Sequence, residues 1–274
     1  MKRIFALLLA VVLLFAGAMY WSAATDPVMR RLVVTVRRWP SSAPTLRLVL
    51  LSDLHVAGPE NPPARLARLV ARVNALHPDI VLIAGDFVTE KRTATRLYSA
   101  AQAIEPLGKL RTRLGTFAVM GNHDHWLSTT QVHAALAAAG IRVLDNRAVR
   151  VGPVAVGGID DVYTRRGDLG RTLAALRPLG GLPILLTHSP DIFPDAPVGV
   201  PLTLAGHTHC GQIVLPVIGA LATASRYGGR FRCGLVRERG KTLLVSAGVG
   251  TSLLPLRLGA PSDFWVIDLM PRPA

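Results

Sequence analysis

Five short apolar runs recur along the chain, and each is followed closely by residues that can hold a metal or move a proton. The runs are Leu46 to Leu51, Ile80 to Ala84, Thr116 to Met120, Pro183 to Leu186 and Pro201 to Ala205. Segments this short, rich in Val, Ile and Leu and closed by Gly, Asp or His, read as strands buried on both faces. At their ends stand Asp53-Leu54-His55, Gly85-Asp86, Gly121-Asn122-His123-Asp124, His188 and Gly206-His207-Thr208-His209. In α/β sheets ligands gather beyond the carboxyl ends of the strands, so these five tips are expected to converge on one cleft. Of eight histidines, five stand in these motifs, which sets the motifs apart from ordinary turns.

Between the first two runs Leu66, Leu69, Val70, Val73 and Leu76 recur at helical spacing behind Pro62-Pro63, which makes a βαβ unit. Further helices are expected from Thr93 to Leu107 and from Thr129 to Ala139, the latter ended by Gly140. Beyond Gly140 strands dominate: Arg142 to Asn146, Val149 to Val151, Val154 to Gly157, Phe231 to Arg237 and Thr242 to Val245. RERGKT forms a hairpin tip and Phe264 to Leu269 a closing strand. The expectation is an α/β fold with two packed sheets flanked by helices.

At 274 residues, with 50% hydrophobic and 18% charged residues, the chain can bury one sizeable core and is neither disordered nor fibrous. Two cysteines, Cys210 and Cys233, make no disulfide scaffold and lack the spacing of a structural zinc site. The balance of 31 Lys+Arg against 17 Asp+Glu gives +14 and an isoelectric point near 11.2, a surface that attracts anions. With no RNP-like sequence, zinc-finger spacing or basic helix, nucleic acid is not expected as a partner. Phosphorylated small molecules and acidic lipid headgroups remain.

Ile4 to Ala24 is an almost unbroken apolar run behind Lys2 and Arg3, and its 21 residues match the bilayer core when helical. Tyr20 and Trp21 stand where interfacial aromatics belong. A retained anchor is favoured over a cleaved signal, although Ala16-Gly17-Ala18 and Ser22-Ala23-Ala24 offer small-residue cleavage sites. Arg30, Arg31, Arg37 and Arg38 outnumber Lys2 and Arg3, which tilts the expectation toward a cytoplasmic domain. A signal-anchor reading gives the reverse. Residues 1–25 are thus read as the membrane anchor, 26–44 as linker and first strand, and 45–271 as one catalytic domain.

The five motifs resemble the signature blocks of the calcineurin-like metallophosphoesterases. Their extended forms SDLH, GDFV, GNHD, THSPD, GHTHCGQ and GVGTSLLPLRLG are similar to the bacterial membrane-associated YaeI/YkuE-like branch. The resemblance implies a four-layer α/β/β/α sandwich of two mixed sheets and a dinuclear centre at an inner membrane. One metal would be held by Asp53, His55, Asp86 and His209, the other by Asp86, Asn122, His188 and His207. A nitrogen and oxygen set without thiolates suits Mn, Fe or Zn, with Mn favoured. It also implies in-line attack on phosphorus by a metal-bridging hydroxide, with His123 as proton donor to the leaving group and Asp124 holding its ring. Cys210 follows GHTH where glycine is usual, which places a thiol near the metals. Ser262-Asp263 departs from the usual Pro-Glu near the last strand.

Of the remaining residues, His125 reads as a surface histidine ahead of a pocket-lining one, His77 as a capping or surface residue, His133 as a helix-surface residue, Asp160 and Asp161 as a turn ahead of a cleft contact, and Arg257 as either a phosphate contact or a surface charge. The second block lacks the Asp-Arg-Gly extension usual in phosphoprotein phosphatases, and the third ends in Asp124 rather than Glu. A phosphodiester or pyrophosphate bond, on a phosphorylated small-molecule or lipid-linked substrate, is therefore expected. UDP-2,3-diacylglucosamine hydrolysis in lipid A synthesis fits if the domain is cytoplasmic. A broad envelope phosphodiesterase and a non-catalytic membrane scaffold are the alternatives.

Overall fold

The computed structural model describes residues 1–36, 39 and 44–271; Arg37 and Arg38, two of the four arginines beyond the apolar run, lie outside them. Leaving aside the two-stranded ribbons, the first six strands of the two main sheets in chain order are β1 (Val28–Val36), β2 (Leu46–Leu51), β3 (Ile80–Ala84), β4 (Gly115–Val119), β5 (Arg142–Val143) and β6 (Arg147–Val151). The next six are β7 (Val154–Ile159), β8 (Leu182–Thr187), β9 (Leu202–Ala205), β10 (Gly234–Glu238), β11 (Lys241–Val245) and β12 (Asp263–Pro271). The helices are α1 (Lys2–Ala24), α2 (Pro63–Asn74), α3 (Ala100–Ile104), α4 (Asn122–Ala138) and α5 (Leu169–Leu176).

Two six-stranded mixed sheets result, ordered β1-β12-β2-β3-β4-β5 and β10-β11-β9-β8-β7-β6. The alternation of side chains along β2 shows why they stack. Leu48 and Leu50 point to the core between the sheets, where Leu82, Phe117, Ile184, Leu186, Leu204 and Leu244 meet them. Val49 and Leu51 point to the opposite face, against Leu66, Leu69, Val70 and Val73 of α2. On the far side α5 covers Ala155 and Leu185. Both faces of the central strands of both sheets are thus apolar and covered, which gives the expected four layers.

Several boundaries differ from the sequence expectation. Thr93 to Leu107 is not one helix: Arg96–Leu97 pairs as a short strand with Ala57–Gly58, and α3 begins only after the Ser99 capping box, passing into a 3₁₀ turn over Glu105–Lys109. The helix expected from Thr129 starts at Asn122 instead and is broken at Ser128, whose φ of −174° and ψ of 102° are extended. Strand pairing is shorter than the apolar texture over 142–146 and 231–237. Helix α5, capped by Asp168 accepting from Arg171 N–H, has no counterpart among the expected helices.

Helix α1 is long and apolar enough to cross a membrane, with a mean hydropathy of 2.4 over its best window and little of its surface covered by the domain. Its last turns do touch the domain. Met19 and Ala23 are buried, and Met19 C=O accepts from the backbone N–H of Arg257 at 3.0 Å. Arg30 follows in β1, where its guanidinium pairs with Asp263 at 2.7 Å. Asp263, in the Ser262-Asp263 departure, also accepts from Ser246 Oγ and Ala247 N–H.

Candidate metal centre

All seven expected ligands meet beyond the carboxyl ends of β2, β3, β4, β8 and β9, and all are buried. Ligand atoms of Asp53, His55 and His209 lie within 4.8 Å of one another, as do those of Asp86, His188 and His207. Asp86 also closes a third such group with His55 and His123 and so links the first two, its Oδ2 3.4 Å from His55 Nε2 and 3.2 Å from His188 Nε2. Asn122 Oδ1 lies 3.1 Å from His188 Nε2.

The backbone is bent to bring these groups in. Asp53, His55, Asp86, His207 and His209 all have φ between 39° and 71°, the left-handed region that non-glycine residues rarely occupy. Glycine is needed at two close approaches: a Cβ on Gly121 would overlap the Asp86 carboxylate, and one on Gly206 the Asp53 carboxylate. Both oxygens of Asp53 accept from His207 N–H, and Asp86 Oδ1 accepts from His123 N–H.

The donor set fits divalent cations. His55 Nε2 faces His209 Nε2 at 3.1 Å and His188 Nε2 faces His207 Nδ1 at 3.0 Å, so imidazole lone pairs converge with carboxylates on two points. His188 Nδ1 sits 2.7 Å from Ala84 C=O, which fixes the ring and turns Nε2 toward the site. Burial pulls His55 and His209 well below the usual imidazole pKa, with Arg257 adding to the effect on His209. Burial and His188 bring His207 down to about 3, so all three are neutral, the form that ligates. His188 is raised well above its ordinary value: burial opposes this, but Asp86 and Asp53 win. Asp86 is held well below its usual value by His188 despite burial, while burial pushes Asp53 up to about 6.

This electrostatics sets a pH dependence. Without a cation His188 is protonated at neutral pH, and a cation taking its Nε2 must displace that proton. Affinity for Mn²⁺ is therefore expected to strengthen with pH, approaching about tenfold per pH unit for one displaced proton. Calorimetric titrations at pH 6 and pH 8 in buffers of different ionisation enthalpy would read both the affinity and the proton release.

The other sequence expectations fare unevenly. His123 reaches the cleft, edge-on to His55 with ring centroids 4.7 Å apart. Its ring is not held by Asp124. It is Glu90, at the end of the second block, that lies 2.9 Å from His123 Nδ1. Asp124 accepts instead from the backbone N–H groups of Asp86, Phe87, Val88 and Gly121, because as the third residue of α4 it turns back on the helix start. Burial, with Asp86 nearby, pushes its carboxyl up to about 7 against those donors.

Arg257 is neither a surface charge nor in reach of a cleft phosphate. It is fully buried and donates to the carbonyls of Ala247, Gly248, Gly250 and Ala260, with Nη2 3.3 Å from His209 Nδ1. Burial lowers its pKa to about 10, which leaves it charged. The His125 side chain is not exposed either: it is closed between Asp160 at 2.7 Å and Thr129. Asp161 makes the expected turn by accepting from Tyr163 and Thr164 N–H. His77 is exposed just past α2, and His133 lies partly exposed on α4 beside Asp145. Cys210 carries no free thiol, being joined to Cys233 in a disulfide. That bond and Thr208 Oγ1 to Arg232 C=O tie the His207–His209 loop to the segment before β10.

The site opens into a cleft of about 400 Å³, walled by Trp126, Tyr163, Leu221, Leu253 and Leu254. The profile of the family described as calcineurin-like phosphoesterase matches residues 46–211, more than half of the chain. The chain belongs to that family. Among relatives of this calcineurin-like phosphoesterase, the "Transmembrane protein with metallophosphoesterase domain" of Danio rerio is 34% identical over 98% of this chain and 62% of its own length. Its Bos taurus namesake is 32% identical over 92% and 59%. The Bacillus subtilis metallophosphoesterase YkuE is 31% identical over 74% and 72%. The chain thus spans about three fifths of the length of these two vertebrate relatives.

Proposed function

We propose that this phosphoesterase hydrolyses a phosphodiester or pyrophosphate bond of a membrane-associated substrate with two divalent cations, Mn²⁺ the favoured one. The carrying observation is the set of buried three-residue clusters that Asp86 links: Asp53, His55 and His209 on one side, Asp86, His188 and His207 on the other, with His55, Asp86 and His123 joining them. Asp53, His55, Asp86 and His209 would hold one cation, and Asp86, Asn122, His188 and His207 the other. Two such cations, when bound, lower the pKa of a water and neutralise the phosphoryl oxygens. The chain's own residues supply the rest. His123 delivers a proton to the departing oxygen from Nε2, while Glu90 on Nδ1 holds the ring. Asp124 keeps Asp86 in place through the backbone.

The anchor reading of α1 is supported by the names of the animal relatives and by the apolar length of the helix. The bacterial relatives support reading the membrane as a bacterial inner membrane. The disulfide favours the oxidising side of it, since such bonds are rare in reducing cytosol. Arg30, folded into β1 on Asp263, is no free juxtamembrane charge, which weakens the arginine count that favoured the cytoplasm. An envelope phosphodiesterase is therefore favoured over UDP-2,3-diacylglucosamine hydrolysis, which needs a cytoplasmic site.

Two measurements test this. With Mn²⁺ the purified chain is expected to turn over bis(p-nitrophenyl) phosphate; no turnover with metal demonstrably bound would favour the scaffold. Alkaline phosphatase fused after Ala274 is expected to be active, and an inactive fusion with a fluorescent cytoplasmic reporter would reverse the orientation.

A further inference from the structure

The cleft and the anchor are neighbours. Arg257 spans the gap: its guanidinium lies 3.3 Å from His209 Nδ1, and its backbone N–H donates to Met19 C=O at 3.0 Å. Met19 precedes Tyr20 and Trp21, the aromatic end of the apolar span. With α1 in a bilayer, that hydrogen bond brings residue 257 to the depth of the headgroups.

Two apolar projections flank this contact. Leu253, 72% exposed, and Leu254 lie three to four residues before Arg257 and line the mouth of the cleft. Just after Arg257, Leu258 bridges to Ile213, and Val214 N–H donates to Leu258 C=O. From there a hairpin, Val214–Leu215 paired with Gly219–Ala220, projects outward. At its tip Val217 is 107% and Ile218 73% exposed, and Leu221 at its base lines the cleft. Val217 keeps a β-branched side chain at a φ of 67°, where glycine would be unstrained.

Bare apolar tips on a chain of net charge +14 call for a cover. The nearest one is the bilayer that holds α1, and an anionic leaflet would complement the charge. We propose that the Val217–Ile218 tip and the Leu253–Leu254 loop dip into the leaflet beside the end of α1. The cleft then opens sideways onto the membrane and takes a phosphoester whose hydrocarbon chain stays among the lipids. The choice of substrate rests on the proposed hydrolytic activity; the insertion does not.

The test uses the full chain in vesicles of phosphatidylcholine and phosphatidylglycerol. Ile218→Cys labelled with bimane is expected to be quenched by lipids brominated on their acyl chains, and Arg171→Cys on exposed α5 to be unaffected. The native cysteines, joined to each other, leave the label a single target. No more quenching at 218 than at 171 would overturn the insertion. The Val217→Ser/Ile218→Ser variant with Mn²⁺ is then assayed on methyl p-nitrophenyl phosphate in solution and hexadecyl p-nitrophenyl phosphate in vesicles. The expected result is about a tenfold loss on the long-chain ester alone. Equal rates on both esters, or equal losses, would overturn the sideways entry. Wild-type chain with Mn²⁺ bound, inactive on both esters but quenched at 218, would instead overturn the hydrolytic reading and leave the insertion standing.

Discussion

Replacing Asp86 by alanine is expected to empty at least one cation position and abolish turnover. Its Oδ2 faces His55 and His188, the two groups it would join, and its Oδ1 fixes the start of α4 through His123 N–H. Without this carboxylate the raised pKa of His188 also loses its main support, so both the bridge and the charge balance fail together. Metal content by inductively coupled plasma mass spectrometry should fall from two ions per chain to one or none. The thermal midpoint should lose most of its rise on adding Mn²⁺, because a ligand stabilises only through the state that binds it. Two retained ions would remove Asp86 from the ligand set.

His123→Ala should behave in the opposite way, keeping its metal while losing turnover by roughly 10²–10⁴-fold, the range for a positioned general acid. A ring nitrogen of His123 lies within 4.8 Å of ligand atoms of His55 and Asp86, but its Nδ1 faces Glu90, outside the proposed ligand set. The loss should shrink with a substrate whose leaving group needs no proton, so the comparison is bis(p-nitrophenyl) phosphate against an alkyl phosphodiester of high leaving-group pKa. An equal loss on both esters, accompanied by loss of metal, would assign His123 a ligating or structural role.

What the sequence disclosed and what it concealed divide along a physical line. The strands β2, β3 and β9 were legible because each is a short apolar run buried on both faces, and the motif at each strand end is fixed by local spacing. The partner of His123 was not, because Asp124 is its neighbour in sequence while Glu90 lies 33 residues away, and only the direction of the first turn of α4 decides between them. Arg257 reads from sequence as either a phosphate contact or a surface charge, since no pattern in LPLR shows four backbone carbonyls closing around a guanidinium. The Cys210–Cys233 bond joins residues 23 apart through a loop without periodicity. Glu90 did carry a signal: an acidic side chain at the end of the second block, where the helix start of the third block must pass.

The left-handed backbone of five candidate ligands has a consequence for how the protein matures. Each such residue costs on the order of 1–3 kcal/mol, and together they rival the ~5–15 kcal/mol by which a domain is stable at all. An arch of this kind stands firmly only with its keystone in place. Chain that reaches its compartment before cations do is then the form most exposed to proteases, and supply of the ion would govern how much protein accumulates as well as how fast it works.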